Sequence, residues 1–143
     1  MKEYTATTTI HAPSETIWKL LTDASAYPEF DPSCERIEGR IAVGEKIKAF
    51  SKLTPGRAFP VKVTEVVAGA KMTWSGGMPL GLFKGVRTFT TTARGDGAIE
   101  FTLREVFSGP MLALIGGSIP DLTEPFRKFA EGLKARAEAA KPS

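Results

Sequence analysis

Glu105 and Arg87 are the residues whose type and spacing best suit chemistry, because each is a charge in phase with apolar neighbours. Phe101, Leu103, Glu105 and Phe107 alternate along one run, and Arg87, Phe89 and Thr91 alternate along the run before it. Alternate strand residues share a face, so both charges point to the side that the phenylalanines bury. Arg94-Gly-Asp-Gly97 between the runs carries the Asp-Gly pair of a tight hairpin, which brings the two strands side by side. A charge taken out of water needs a partner. Two readings therefore stay open. The pair either holds two strands in register or serves a ligand, as an anchor for a polar head group or as an acid/base pair for proton transfer. Glu65 shares a phase with Val63 and Val67, but exposure at a sheet edge explains it equally well.

Other chemistries find little support. His11 is the only histidine and stands at a strand end beside Pro13, the setting of an ordinary turn residue rather than a triad member. Cys34 is the only cysteine, which excludes an internal disulfide and makes a thiolate metal site within the chain implausible; with no basic neighbour it reads as a small, partly buried residue. Phosphate-loop and dinucleotide patterns are missing. No metal and no cofactor is expected. The formal charge is +3, with basic and acidic residues interspersed. Lys46, Lys48 and Lys52 share an alternation phase, with Lys62 expected on the neighbouring strand, and this is the pattern of a solvated sheet face rather than a nucleic-acid site. No run approaches a membrane span and the start has no signal-peptide character, so a soluble, cytoplasmic protein of one domain, covering residues 1–143, is expected.

The elements that must position the two charges follow from periodicity. Tyr4 to Ile10 reads as a first strand, ended by His11-Ala-Pro13. Ser14 is expected to cap a short helix carrying Ile17, Trp18, Leu20 and Leu21, and Glu29 to Ser33 forms a second short turn or helix. Alternation then marks Ile37 to Ile41, Ile47 to Leu53, Val61 to Val67 and Met72 to Trp74, joined by Val43-Gly44, Pro55-Gly56 and Ala68-Gly69. Short links favour antiparallel neighbours. Two longer strands, about Lys84 to Ala93 and Ala98 to Phe107, complete the sheet. Gly109 to Pro120 reads as an apolar flap or short helix. Asp121 to Ala140 reads as an amphipathic helix with Leu122, Phe126, Phe129, Ala130, Leu133, Ala137 and Ala140 on one stripe. Asp121 and Glu124 suggest a capping box, Glu124 and Lys128 an ion pair, and Lys141-Pro142 the end.

This order resembles the START-like (SRPBCC) superfamily, and more narrowly its polyketide cyclase/dehydrase-type members. The words that carry the resemblance are Ile10-His-Ala-Pro-Ser-Glu-Thr-Ile-Trp18, Thr22-Asp23 with Tyr27-Pro-Glu-Phe-Asp-Pro32, Gly39 with Val43-Gly44, Met72-Thr-Trp74 and Glu105-Val-Phe-Ser-Gly109. Phe30 stands where a tryptophan is usual, and Asp31 where an asparagine is common. The resemblance implies an α+β helix-grip fold: an antiparallel sheet of about seven strands curled round the long C-terminal helix, two short helices after the first strand, and an apolar cavity between sheet and helix.

Such a cavity implies a hydrophobic or amphipathic small molecule, lipid-like compounds included, as the partner of a monomer or weak homodimer. Phe30, Met78, Leu80, Leu82, Phe83, Met111, Leu112, Ile115 and Phe126 come from segments expected round its mouth. Trp74, Arg87, Phe89, Glu105, Phe107 and Phe129 complete the candidate ligand-binding set. Glycines at 76, 77, 81, 116 and 117 would let Met78 to Phe83 and Met111 to Ile115 act as a lid. Two alternatives accompany ligand binding. One is a cyclase or dehydratase of aromatic or polyketide-like compounds, with Glu105 and Arg87 as catalytic candidates; the other is an interaction module of chaperone-activator type.

Overall fold

Alternation in the sequence becomes a seven-stranded antiparallel sheet in the order β1-β7-β6-β5-β4-β3-β2. Its strands are β1 (Lys2–Ile10), β2 (Cys34–Glu38), β3 (Lys46–Ser51), β4 (Ala58–Val67), β5 (Lys71–Gly77), β6 (Lys84–Ala93) and β7 (Ile99–Ser108). The helices are α1 (Ser14–Leu21), α2 (Tyr27–Phe30), α3 (Leu112–Ile115) and α4 (Thr123–Ala139). The computed structural model describes residues 1–115, 117 and 119–140. The curled sheet gripping α4, with short helices after the first strand, is the helix-grip fold.

Phe129 shows why sheet and helix hold together. Its ring lies 5.2–6.1 Å from the rings of Tyr27, Phe30, Phe89 and Phe101, so one helical side chain joins α2, β6 and β7. Ala130, Leu133 and Ala137 continue that stripe into the core. At Gly132 the helix backbone itself touches α2, since a Cβ there would fall 1.7 Å from the Phe30 carbonyl oxygen. A glycine inside a helix is unfavourable by about 1 kcal/mol relative to alanine. Here that cost secures the close approach.

The first helix docks through Trp18, whose Nε1 donates to Thr91 Oγ1 at 2.9 Å, while Thr91 Oγ1 donates onward to the Gly69 carbonyl. Tyr27 Oη donates to the Leu21 carbonyl at 2.6 Å, tying α2 to α1. The outer edge of β1 is partly closed by α4: Lys134 Nζ donates to the Thr9 carbonyl, and Glu138 accepts from the His11 backbone N–H. Covering an edge this way removes a template for strand addition.

Several local expectations are corrected. Pro13, not Ser14, is the N-cap of α1, which begins at Ser14. Asp121 accepts from the Thr123 N–H, but Glu124 pairs with Arg127 rather than closing a capping box or reaching Lys128. A register shift between Val63 and Glu65 turns Val66 inward and leaves Val67 exposed, so the alternation read through Val67 breaks at a bulge. β2 stops at Glu38, where Gly39 takes a positive φ of 109°, before the expected end at Ile41. The expected helix end at Lys141-Pro142 lies outside the described residues.

Truncating the central ring tests this packing. Phe129→Ala should lower the unfolding free energy by about 3–5 kcal/mol in urea titration, and Gly132→Ala by about 1–3 kcal/mol although alanine is the better helix former. A loss below roughly 1 kcal/mol for Phe129→Ala would mean that the ring is not the centre of the core.

Candidate functional site

One row of register partners crosses five strands: Val63 faces Trp74, Trp74 faces Arg87, Arg87 faces Glu105 and Glu105 faces Tyr4. The two charges thus meet as direct cross-strand neighbours, and Arg87 Nε donates to Glu105 Oε1 at 2.6 Å. Their side chains keep 27% and 14% exposure, because the space in front of them is open. Above the guanidinium, the Phe126 ring of α4 stands 5.0 Å from Arg87 Cζ, a cation–π distance. Only Nε is engaged; no hydrogen bond among the described residues takes Nη1 or Nη2. Burial pulls the Arg87 pKa down, but the adjacent Glu105 carboxylate more than offsets it and the guanidinium stays charged.

In front of this row lies a cavity of about 630 Å³ between the sheet and the N-terminal half of α4. Leu122, Pro125, Phe126 and Phe129 line it, whereas Leu133 and Ala137 do not. Glycine makes part of the room: Gly76 and Gly85 are register partners on β5 and β6, and both face the space. A Cβ on Gly85 would press on the Phe107 ring at 3.2 Å, and one on Gly76 would meet the Val61 side chain at 2.8 Å. A smaller space of about 260 Å³ between β1 and α4 has Arg127 already paired with Glu124 and Glu131.

The corner after α2 supplies a second polar group. Asp31 is 7% exposed and lines the cavity with Tyr27 and Cys34. Its Oδ1 accepts from the Ser33 backbone N–H at 3.1 Å and from Ser33 Oγ at 3.0 Å. Burial raises the Asp31 pKa, with the Ser33 bonds and the Arg87 charge pulling the other way. Burial also holds the Tyr27 phenol well above its ordinary range and pushes the Cys34 thiol to about 11. Among the described residues no group of histidine, cysteine, aspartate and glutamate is arranged to hold a metal ion.

The model of the family described as polyketide cyclase / dehydrase and lipid transport matches residues 1–138. The chain belongs to this family. Solved structures share the fold at low identity. A START superfamily protein from Mycobacterium smegmatis is 18% identical, with a TM-score of 0.67 over 96% of this chain and 97% of that one. The di-domain ARO/CYC BexL of the BE-7585A biosynthetic pathway is 15% identical, with a TM-score of 0.70 over 96% of this chain and 47% of that one. The Aha1 dimer from Colwellia psychrerythraea is 19% identical, with a TM-score of 0.73 over 99% of this chain and all of that one. No curated protein matches the sequence.

In this family member the cavity wall takes Trp74, Met78, Phe83, Arg87, Glu105, Phe107, Ile115, Phe126 and Phe129 from the residues expected on sequence. Others lie elsewhere. Phe30 and Phe89 are buried behind the wall, each packed on Phe129, so their rings belong to the core. Leu80 and Leu82 are exposed, and Met111 and Leu112 are half-buried outside the lining. Met111 N–H donates to the Leu82 carbonyl at 2.9 Å, which joins the two expected lid segments to one another; the Gly116 hinge lies outside the described residues. Sequence reading missed the β3–β4 side of the wall, including Phe50, Leu53, Arg57 and Phe59, and the Tyr27–Asp31–Cys34 corner. Apolar residues in the glycine- and proline-containing stretch 53–60, which runs from the β3–β4 link into β4, are the available signal.

Two outcomes follow from the corner. An acid with a raised folded-state pKa destabilises the fold above that pKa, and the penalty fades as pH falls toward the unfolded value. Asp31→Asn, which keeps an oxygen for Ser33, should therefore raise Tm at pH 7.5 and lose that advantage near pH 4; no gain at pH 7.5 would contradict the desolvation of this carboxyl. Cys34, held at about 11, should be alkylated at pH 8 roughly a hundredfold more slowly than an ordinary cysteine, and a fast reaction would place it outside the buried corner.

Proposed function

We propose that this protein binds a hydrophobic or amphipathic small molecule between the sheet and α4, with the polar end of the ligand on Arg87. The observation that carries the reading is a guanidinium whose Nη donors take no hydrogen bond among the described residues and which faces a largely apolar-walled space of about 630 Å³. Ligand pockets of about 300–1,000 Å³ with few polar groups are typical of small-molecule sites. Glu105 fixes the Arg87 fork by holding Nε, leaving the outer donors for a carboxylate, carbonyl or similar acceptor. Trp74, Phe83, Phe107 and Phe126 supply the apolar contact. The family description, which includes lipid transport, is consistent with this ligand class. The proposal extends to a cytoplasmic monomer or weak homodimer.

A second reading, cyclase or dehydratase chemistry on an aromatic or polyketide-like compound, is favoured by the same pair. There Glu105 would accept a proton while Arg87 steadies the developing enolate oxygen. BexL, similar in fold, is a di-domain ARO/CYC protein. An interaction module of chaperone-activator type is the weaker reading, since such a role leaves a large cavity with a paired charge on its floor without purpose.

Native mass spectrometry of the extracted protein for co-purifying compounds tests occupancy, and displacement of N-phenyl-1-naphthylamine gives an affinity. Glu105→Gln and Arg87→Met should each change affinity or rate at least about tenfold, equivalent to roughly 1.4 kcal/mol. Unchanged affinity with a lowered Tm would assign the pair to strand register alone.

A further inference from the structure

Large apolar side chains are exposed mainly at one place on this molecule. Leu53, Phe59, Met78, Leu80, Leu82 and Leu114 all belong to the segments 52–59, 78–84 and 109–115, and of the other exposed ones only Val43, Val67 and the terminal Met1 lie elsewhere. These segments surround the cavity mouth. Leu53, Phe59 and Met78 line the cavity, and Met111 N–H joins the second and third segments through the Leu82 carbonyl. Leu80 is 98% exposed and Leu114 77%, so neither contributes appreciable packing to the fold. Leu80 also takes a positive φ of 60°, which a branched side chain adopts only at a cost.

Charge distinguishes this patch from a generic apolar surface. The three segments carry Lys52, Arg57 and Lys84, all exposed, and no aspartate or glutamate. The next acid along the chain, Asp121, is engaged at the start of α4 by the Thr123 N–H. Exposed leucines ringed by cations fit a surface whose interior is apolar and whose face is anionic. A second copy fits poorly, because a two-fold contact through this patch would set Lys52, Arg57 and Lys84 near their own duplicates.

We propose that the cavity mouth docks on the surface of an anionic lipid bilayer, with Leu80 and Leu114 entering the boundary between head groups and acyl chains and Lys52, Arg57 and Lys84 at the phosphates. Docking is peripheral: no helix among the described residues is long and apolar enough to cross a membrane. It opens the cavity directly onto the apolar phase, so a poorly soluble molecule enters without crossing water.

The test is co-sedimentation of the full chain with phosphatidylcholine vesicles, with and without about 30 mol% phosphatidylglycerol. Binding is expected with the anionic vesicles, weakening as salt rises because the charge contribution is screened. Leu80→Asp combined with Leu114→Asp should weaken it at least about tenfold, whereas Val43→Asp, another exposed apolar position, should leave it unchanged. Both leucines are nearly free of contacts, so the double variant should keep its Tm and its N-phenyl-1-naphthylamine affinity, which separates this proposal from the ligand-binding reading. No binding, equal binding to neutral vesicles, or an equal loss in Val43→Asp would overturn it. So would sedimentation velocity showing a dimer that the double variant dissolves, an outcome that assigns the patch to a second copy.

Discussion

The contact between Phe129 and the four rings around it is the interaction on which the remaining structure depends. Because α4 reaches α2 through bare backbone at Gly132, the helix is drawn tightly against the sheet along its C-terminal half, where Ala130, Leu133 and Ala137 are small enough or shaped to fill the interior. At the N-terminal half Phe126, with Leu122 just before the helix, borders a space whose sheet wall includes the glycine pair Gly76 and Gly85, and Phe126 meets the sheet through Arg87 and Tyr4. One half of the interface is therefore close-packed and the other stands open. Core and cavity arise from a single amphipathic stripe meeting a sheet whose rows differ in side-chain volume.

The charged row lies at the boundary of those two regions. Next to it toward the core, Met72, Phe89, Leu103 and Ala6 form an apolar row in the same register, with no charge. Register is thus already specified, because a one-residue slip would expose that row and bury its polar neighbours. A buried ion pair is weak support for stability, since desolvation of both partners offsets much of their attraction, and apolar replacements of similar volume are often neutral or better. Stability alone gives little reason to keep Arg87 and Glu105 where they are. The proposed ligand role would give one, acting through the Nη donors that no hydrogen bond among the described residues takes.

How much was legible in the sequence depended on periodicity. The seven strands, the long helix and the inward pairing of Arg87 with Glu105 all rest on alternation or a three-four stripe, and all appear in the structure. Where no period operates, apolar character says nothing about direction. Leu80 and Leu82 resemble Met78 and Phe83 in composition, yet the first two face out and the second two line the cavity, because a tight turn at Pro79–Gly81 sends neighbouring side chains apart. Phe30 comes from a segment expected at the mouth, but in a helix as short as Tyr27–Phe30 its position three residues after Tyr27 puts both rings on one face, against Phe129. In the sequence Asp31 stands out only as a departure from a common asparagine. Its burial depends on how α2 meets the sheet, which no local pattern encodes.

The polarity of the cavity and the character of its mouth bear on one another. An amphipathic molecule bound with its polar end on Arg87 has its apolar part directed toward Leu53, Phe59 and Met78 at the rim. In a bilayer such molecules stand with head groups at the surface and apolar chains below. A protein resting on that surface through Leu80 and Leu114 would receive the head group first, and the head group would travel furthest in. The charge it meets at the floor replaces part of the hydration it loses, while its chain moves from hydrocarbon to an aromatic wall with little change in apolar exposure. An inverted arrangement, with the partner of the head group at the mouth and only apolar groups inside, would require the molecule to turn over in water. With cations and leucines outside and a paired arginine on the cavity wall among aromatic rings, the proposed route would not need that step.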